Sequence, residues 1–177
     1  MAWNNPPLTL YHGCDDVSAS AINSGGVSLR LCRPRTDFGR GFYTTTVRHQ
    51  AQQWANTRVR RLRRAAGGAS GRPVAALLEY SVDREQLARL EALMLVVEGS
   101  PPSSDFWKFI GHCRGGTATH KAVGRPNSYY DVVLGLVSLW PQTLVIKDCD
   151  QVSFHSAAAL AVLSSPVNAH YAPKGLF

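Results

Sequence analysis

The sequence has 177 residues, 45% of them hydrophobic, which is enough to bury a core, and its length favours one domain over residues 1–177. The formal net charge of +7 favours anionic partners, such as nucleic acid or a phosphorylated cofactor, without choosing among them. No stretch approaches the roughly 20 apolar residues of a membrane helix, and no signal-peptide pattern is visible. We therefore expect a soluble protein with no membrane partner.

The four cysteines are Cys14, Cys32, Cys113 and Cys149. They are widely spaced and form no Cys-x-x-Cys pair, which argues against a metal site. A chain of this size can fold without disulfides, so we expect reduced, partly buried thiols.

The first part of the chain predicts a strand at residues 8–12 and a helix that Asp15 or Asp16 caps and that ends near residues 25–26. Residues 27–36 are polar and lack a period, which predicts a loop. Gly39 and Gly41 then allow a sharp turn before β-branched and aromatic residues. We expect Tyr43 to begin a buried strand.

A helix over residues 47–66 is predicted by apolar side chains at helical spacing, with Thr46 as its cap. Trp54 falls on the apolar face, where it serves either as core or as a wall of a binding site. The arginine-rich run at residues 58–64 suits the negative pole of the helix dipole. We favour a solvated helix end there over a nucleic-acid surface.

The remaining pattern predicts strands at 74–82, 93–97, 129–137, 144–147 and 151–155, with helices at 83–90, 104–110 and 157–163. Ser156 is the expected cap of the last helix. Residues 115–127 predict a loop, and no pattern is visible from residue 166 onward. Asp131 precedes an apolar run and needs a partner if buried, so a structural hydrogen bond is favoured over catalysis.

Four motifs occur in a fixed order: Leu-Tyr-His-Gly at 10–13, Asp-Phe-Gly-Arg-Gly-Phe-Tyr at 37–43, Tyr-Asp-Val-Val-Leu-Gly at 130–135 and Gln-Val-Ser-Phe-His at 151–155. Over about residues 8–163, the chain resembles the ADP-ribosyltransferases of the diphtheria-toxin and poly(ADP-ribose) polymerase type. Their signature is a His, a Tyr and a late residue that is often Glu. Small bacterial domains of this type, and threonine-directed ubiquitin-modifying effectors, look most similar.

The resemblance implies an α+β fold with a split, mostly antiparallel two-sheet core and flanking helices. It implies NAD as co-substrate and mono-ADP-ribosylation of a protein, with a threonine of ubiquitin as the leading specific acceptor. A bacterial effector or toxin acting in a host cytosol would fit such an activity. Two alternatives remain open: an NAD glycohydrolase toxin, and an inactive NAD-binding module that recruits a partner.

The resemblance also implies the residues of a single cleft. The catalytic set is His12, Tyr43 and Gln151. The cofactor-binding set is Tyr11, His12, Gly13, Arg35, Phe38, Gly39, Gly41, Tyr43, Thr44 and Trp54. Candidates for activating an acceptor are Asp37, Asp131 and His155. Any arginine of the 27–36 loop, Arg35 included, either binds pyrophosphate or is a solvated charge.

Gln151 departs from the resembled pattern. A neutral amide can orient a ribose hydroxyl, but it stabilises a cation less than a carboxylate does and cannot act as a general base. The sequence therefore predicts transfer of a single ADP-ribose rather than chain elongation.

Overall fold

The computed structural model describes residues 5–66, 72–96, 104–116 and 129–177. The chain forms two compact units that are interleaved in sequence. The first unit comprises residues 1–27, 44–84 and 163–177, and the second comprises residues 28–43 and 85–162. Most of the predicted loop at 115–127 lies outside the described residues.

The first unit contains β1 (Leu8–Asp15), α1 (Asp16–Gly25), α2 (Arg48–Ala65), β3 (Ala75–Val82) and β7 (Asn168–Tyr171). Its strands form an antiparallel sheet in the order β1-β3-β7. Small apolar side chains fill the space between α2 and this sheet, with Ala55 and Val59 against Ala75 and Ala172. Because these side chains are short, the helix can approach the strands closely.

The second unit contains a 3-10 turn at Leu29–Leu31, α3 (Arg84–Leu87), β4 (Ala92–Met94), α4 (Ser104–Arg114), β5 (Val132–Ser138), β6 (Val145–Phe154) and α5 (Ala157–Leu163). With β2 (Phe42–Thr44), its strands form a sheet in the order β2-β6-β5-β4. Strands β5 and β6 are antiparallel, whereas β4 and β5 are parallel. Elements β2, α3 and α5 each place one residue in the first unit. The prediction of an α+β chain with two sheets is therefore confirmed.

Two helix starts follow from side chains that bind exposed backbone N–H groups. Asp15 accepts from the Ser18 N–H at 3.1 Å and caps α1, and Ser156 accepts from the Ala159 N–H at 3.1 Å and caps α5. The prediction of Thr46 as the cap of α2 is wrong. The helix begins at Arg48, and its N-cap residue is Val47, whose side chain makes no capping hydrogen bond. The Thr45 hydroxyl accepts from the Val47 N–H at 3.0 Å, before the helix starts.

The arginine-rich run on α2 divides into structural and solvated side chains. Arg58 pairs with the buried Asp15 carboxylate at 3.0 Å, and Arg63 donates to the Pro73 carbonyl at 2.9 Å. Arg60, Arg61 and Arg64 are exposed. The C-terminal part of α2 is therefore partly solvated and partly bonded to other segments of the first unit.

Two strand predictions required correction. The separate strands expected at 144–147 and 151–155 are one strand, β6, which a bulge interrupts where the register shifts opposite Leu136 and Val137. Strand β7 was not predicted, because it has only four residues, most of them exposed, and forms the edge of its sheet beside β3. Among the described residues, none of the helices combines the length and the apolar character needed to cross a membrane.

Gly13 marks the closest approach of β1 to α2. A Cβ atom at this position would lie 1.9 Å from the Ala51 carbonyl oxygen and 2.9 Å from the Ala55 nitrogen, both of them backbone atoms. A side chain therefore cannot be admitted without separating the helix from the strand.

We predict that Gly13→Ala lowers the free energy of unfolding by about 1–3 kcal/mol, because overpacking forces the backbone to shift. Gly25→Ala is the matched control, since a Cβ at Gly25 meets nothing within 4 Å. Urea unfolding followed by circular dichroism measures both variants. Equal midpoints for the two would contradict the close approach.

Candidate functional site

Three motif residues lie on one face of β6 and its end. Gln151 and Ser153 alternate along the strand, opposite Gly135 and Val133 of β5, and His155 follows directly after the strand. Because side chains two residues apart in a strand point to the same face, these three belong to one surface of the sheet. All three are buried, so the loop at 36–41 and its neighbours cover this surface.

The carboxylate of Asp37 is the centre of this cluster and is only 3% exposed. Its Oδ2 accepts from the Ser138 N–H at 2.9 Å and from Gln151 Nε2 at 2.9 Å. Its Oδ1 accepts from Arg114 Nε at 2.9 Å and from Arg114 Nη2. These donors and the guanidinium charge compensate the cost of burying the carboxylate.

The side-chain amide of Gln151 has one chemically acceptable orientation. Nε2 lies 2.9 Å from Asp37 Oδ2 and 3.0 Å from the Leu136 carbonyl, and both of those groups only accept hydrogen bonds. Both N–H groups of the amide are therefore engaged inside the protein. Among the described residues, none donates a hydrogen bond to the amide oxygen.

Tyr43 is the second residue of β2, one position later than predicted, and the turn before the strand fixes its hydroxyl group. The hydroxyl donates to the Gly39 carbonyl at 2.9 Å and accepts from the Phe38 N–H at 2.8 Å, with the Thr36 hydroxyl oxygen 2.8 Å away. Burial raises the pKa of Tyr43 well above its usual value, so the hydroxyl stays protonated. The residue as a whole is partly exposed.

His155 is a neutral ring with both nitrogens engaged. Nδ1 lies 2.8 Å from the Arg40 carbonyl, which only accepts, so Nδ1 carries the proton. Nε2 lies 2.7 Å from the Ser153 hydroxyl oxygen, which is also 3.1 Å from the Val133 carbonyl. Burial lowers the pKa of His155 to about 4. The ring also meets the edge of Tyr43, with centroids 6.3 Å apart.

Two motif glycines leave space for aromatic rings of the cluster. A Cβ at Gly41 would lie 2.5 Å from Cε1 of His155, and a Cβ at Gly135 would lie 2.9 Å from Cζ of Phe38. Phe38 is fully buried and packs on Tyr43 at 6.3 Å between centroids. The absence of a side chain at Gly41 and Gly135 therefore lets the rings of His155 and Phe38 pack in these positions.

Asp131 has structural partners, as its sequence context predicted. One carboxylate oxygen accepts from the Glu91 N–H at 3.0 Å and the other from the Ser156 hydroxyl. The Asp131 carbonyl accepts from the His155 N–H at 2.9 Å. Asp131 thus joins the start of β5 to the beginning of α5.

The remaining candidates of the second unit differ in burial. Gly39 is buried and adopts φ +78°, a conformation that suits glycine in a tight turn. The Arg35 side chain is exposed, and its carbonyl accepts from Arg114 Nη1 at 3.4 Å. Burial raises the pKa of Cys113 to about 12, which leaves its thiol protonated and unsuited to nucleophilic catalysis.

The other candidates lie in the first unit. His12 is partly exposed on β1, opposite Leu78 of β3, and Gly13 follows it against α2. Tyr11 pairs through its backbone with Thr45, and the Arg48 guanidinium lies 5.7 Å from its ring centroid. Thr44 is buried. Trp54 is partly exposed on α2.

The structure thus brings Asp37, Tyr43, Gln151 and His155 into one cluster of the second unit. Sequence analysis missed Arg114, which looks like an ordinary cation in the last turn of α4. It also gave no role to Ser153, although the spacing of Gln151, Ser153 and His155 signals one strand face. The described residues contain no group of three or more acidic, His or Cys side chains that could hold a metal ion.

We predict that the protein loses stability as pH falls from 6.5 towards 4, because the unfolded chain binds a proton at His155 that the folded chain excludes. Between pH 6.5 and 4, the protonation of His155 in the unfolded chain lowers the free energy of unfolding by roughly 3 kcal/mol. Urea unfolding at pH 7, 6, 5 and 4 should show a steeper decline for the wild type than for His155→Gln.

His49→Gln serves as the matched control, because His49 is exposed on α2. It should keep the wild-type decline. A His155→Gln variant whose stability falls as steeply as that of the wild type would contradict the neutral, buried imidazole.

A family model described as a protein of unknown function (DUF3990) matches residues 8–139, which is most of the chain. No curated protein and no solved structure matches the sequence. The matched range includes the motifs around His12, Tyr43 and β5, and it ends before Gln151. On this match, the chain belongs to the DUF3990 family.

Proposed function

We propose that this protein is an NAD-dependent mono-ADP-ribosyltransferase that modifies a protein acceptor. The observation that carries the proposal lies within the second unit. Tyr43 and Gln151, which correspond to the second and third signature residues of the resembled enzymes, stand on neighbouring strands, β2 and β6. Asp37 connects them, because it bonds Gln151 directly and adjoins the turn that holds Tyr43.

Tyr43 is a partly exposed residue, and the orientation of its ring is fixed. Three groups of the turn hold its hydroxyl, and the rings of Phe38 and His155 pack against it, so little freedom remains to be lost when a ligand stacks. Offset stacking of planar rings is a favourable geometry for such a side chain. A nicotinamide ring is the ligand group that the resemblance assigns to it.

Gln151 offers a neutral hydrogen-bond acceptor on β6, the strand next to that of Tyr43. NAD supplies an electrophilic ribose carbon when its bond to nicotinamide lengthens. The amide oxygen of Gln151 can orient a ribose hydroxyl, but it cannot remove a proton from an attacking group. This chemistry suits transfer of one ADP-ribose to an acceptor that attacks a developed cation without a base at residue 151.

The acceptor and the adenosine side of the co-substrate are assigned by resemblance. His12 would bond an adenosine-side ribose hydroxyl, and the backbone of Gly13 would bond the nicotinamide amide. A threonine hydroxyl of ubiquitin is the specific acceptor that the similar effectors suggest. These assignments remain predictions from the sequence.

The neutral amide at residue 151 makes two alternatives worth testing. A domain that binds NAD without a carboxylate at this position could release nicotinamide to water, or could bind NAD without turnover. Calorimetry with NAD, combined with measurement of free nicotinamide, separates both cases from transfer. Binding without turnover supports the binding module, and release without acceptor labelling supports the glycohydrolase.

We expect the purified protein and labelled NAD to label a protein band in cell extract. Tyr43→Ala should abolish labelling because the stacking face is lost, and Gln151→Ala should reduce it at least tenfold because one transition-state hydrogen bond is lost. The readout is radiolabel per mole of folded enzyme. With pure ubiquitin as acceptor, intact-mass measurement should show the addition of one ADP-ribose.

Asp105→Asn is the control, since Asp105 is exposed on α4 and should leave labelling unchanged. Each variant is first tested for cooperative unfolding, so that loss of fold is not mistaken for loss of chemistry. Absence of labelling and of NAD binding by the wild type would reject the proposed activity. An unchanged ubiquitin mass beside a labelled band would reject only that acceptor.

A further inference from the structure

The orientation of the Gln151 amide carries a consequence for the proposed chemistry. Both of its N–H groups bond to acceptors inside the protein, the Asp37 carboxylate and the Leu136 carbonyl. A free glutamine offers two donors and one acceptor, so its amide can bind a ligand in either sense. Held in this way, Gln151 can offer a ligand only its oxygen.

We propose that Asp37 is the positioning residue of the site: it locks the Gln151 amide so that only the oxygen faces a ribose hydroxyl. This inference rests on the proposed function, because the hydroxyl belongs to NAD. Asp37 acts through Gln151 and does not touch the substrate, because Arg114 occupies its Oδ1, while Ser138 and Gln151 occupy its Oδ2. The pair thus presents an acceptor in the place where the resembled enzymes often present a carboxylate.

The same contact polarises the amide. A carboxylate that accepts from the amide N–H draws the proton towards itself and raises the electron density on the amide oxygen, since hydrogen bonds in series strengthen one another in a medium of low dielectric. Gln151 is therefore a better acceptor than a free glutamine. Part of the negative character of the missing glutamate is restored by a residue 114 positions earlier in the chain.

The cluster also explains why residue 151 is an amide in this chain. A glutamate there would set a second carboxylate against Asp37 and against the Leu136 carbonyl, with no donor between them. Two carboxylates at that separation cannot both ionise without a large penalty. Arg114 bonds Oδ1 of Asp37, whereas Gln151 bonds Oδ2, so the guanidinium supplies no hydrogen-bond donor between the two carboxylates.

The first test compares NAD with analogues that each lack one ribose hydroxyl, by calorimetry on the full chain. For the wild type, removal of one particular hydroxyl should weaken binding about fivefold to tenfold, the loss expected for one hydrogen bond. In Gln151→Ala, the same analogue should bind as well as NAD. In Asp37→Asn, the preference should fall below about threefold, because the amide can turn and is no longer polarised.

The second test needs no substrate. In a spectrum of side-chain amides, the Gln151 N–H pair should be protected from solvent exchange in the wild type and should lose protection in Asp37→Asn. Gln151→Glu should unfold at a lower urea concentration than Gln142→Glu, which introduces the same charge at an exposed position. In the double variant Asp37→Asn/Gln151→Glu, the urea midpoint should be higher than in Gln151→Glu. The hydroxyl preference should be larger than in Asp37→Asn.

The outcomes separate this inference from the function on which it rests. If the wild type neither binds nor consumes NAD, the proposed activity fails, and with it the substrate role of the pair. If NAD is consumed but no analogue shows a preference that depends on Gln151, only the positioning role is overturned. A full hydroxyl preference in a folded Asp37→Asn would overturn it as well, since Asp37 would then be structural alone.

Discussion

The second unit depends on the burial of one carboxylate. Asp37 is 3% exposed, and a charge in that position is tolerated only when donors surround it. Those donors come from three separate elements: the guanidinium at the end of α4, a backbone N–H at the end of β5, and the amide on β6. The requirement to satisfy Asp37 therefore ties the 36–41 loop to the sheet and fixes the turn that holds Tyr43.

The cluster around Asp37 carries one positive and one negative charge. Arg114 pairs with Asp37, while His155 is kept neutral by burial and Tyr43 keeps its proton. Gln151 fits this balance because it is a donor towards Asp37 and carries no charge of its own. In a low-dielectric surrounding, a further charge would need another partner, and the described residues of the cluster offer none.

Glycine has different uses in the two units. In the first, Gly13 lets the backbone of β1 meet the backbone of α2, so the contact is one of main chain against main chain. In the second, Gly41 and Gly135 make room for the rings of His155 and Phe38. Gly13 and Gly41, which the resemblance assigns to cofactor binding, thus also have a packing role within the protein itself.

Much of the local structure could be predicted because it follows from neighbouring residues. The caps at Asp15 and Ser156 depend on a side chain and an N–H group three residues apart. The apolar run of β5 predicts a strand, and the alternation of Gln151, Ser153 and His155 indicates one strand face. The cap of α2 could not be predicted from residue types, because its N-cap position is Val47, whose side chain cannot accept a hydrogen bond, and only the backbone conformation identifies it.

The sequence by itself determined the α+β composition of the chain, the position of Tyr43 after its turn and the amide character of residue 151. It did not reveal that Asp37 binds that amide, that Arg114 balances the charge, or that residues 168–171 add a strand to β3. The tertiary structure decided those points because each joins residues that are distant in the chain. Hydrogen bonds and ion pairs of that kind leave no periodicity or local motif, so their partners are known only once the elements are packed.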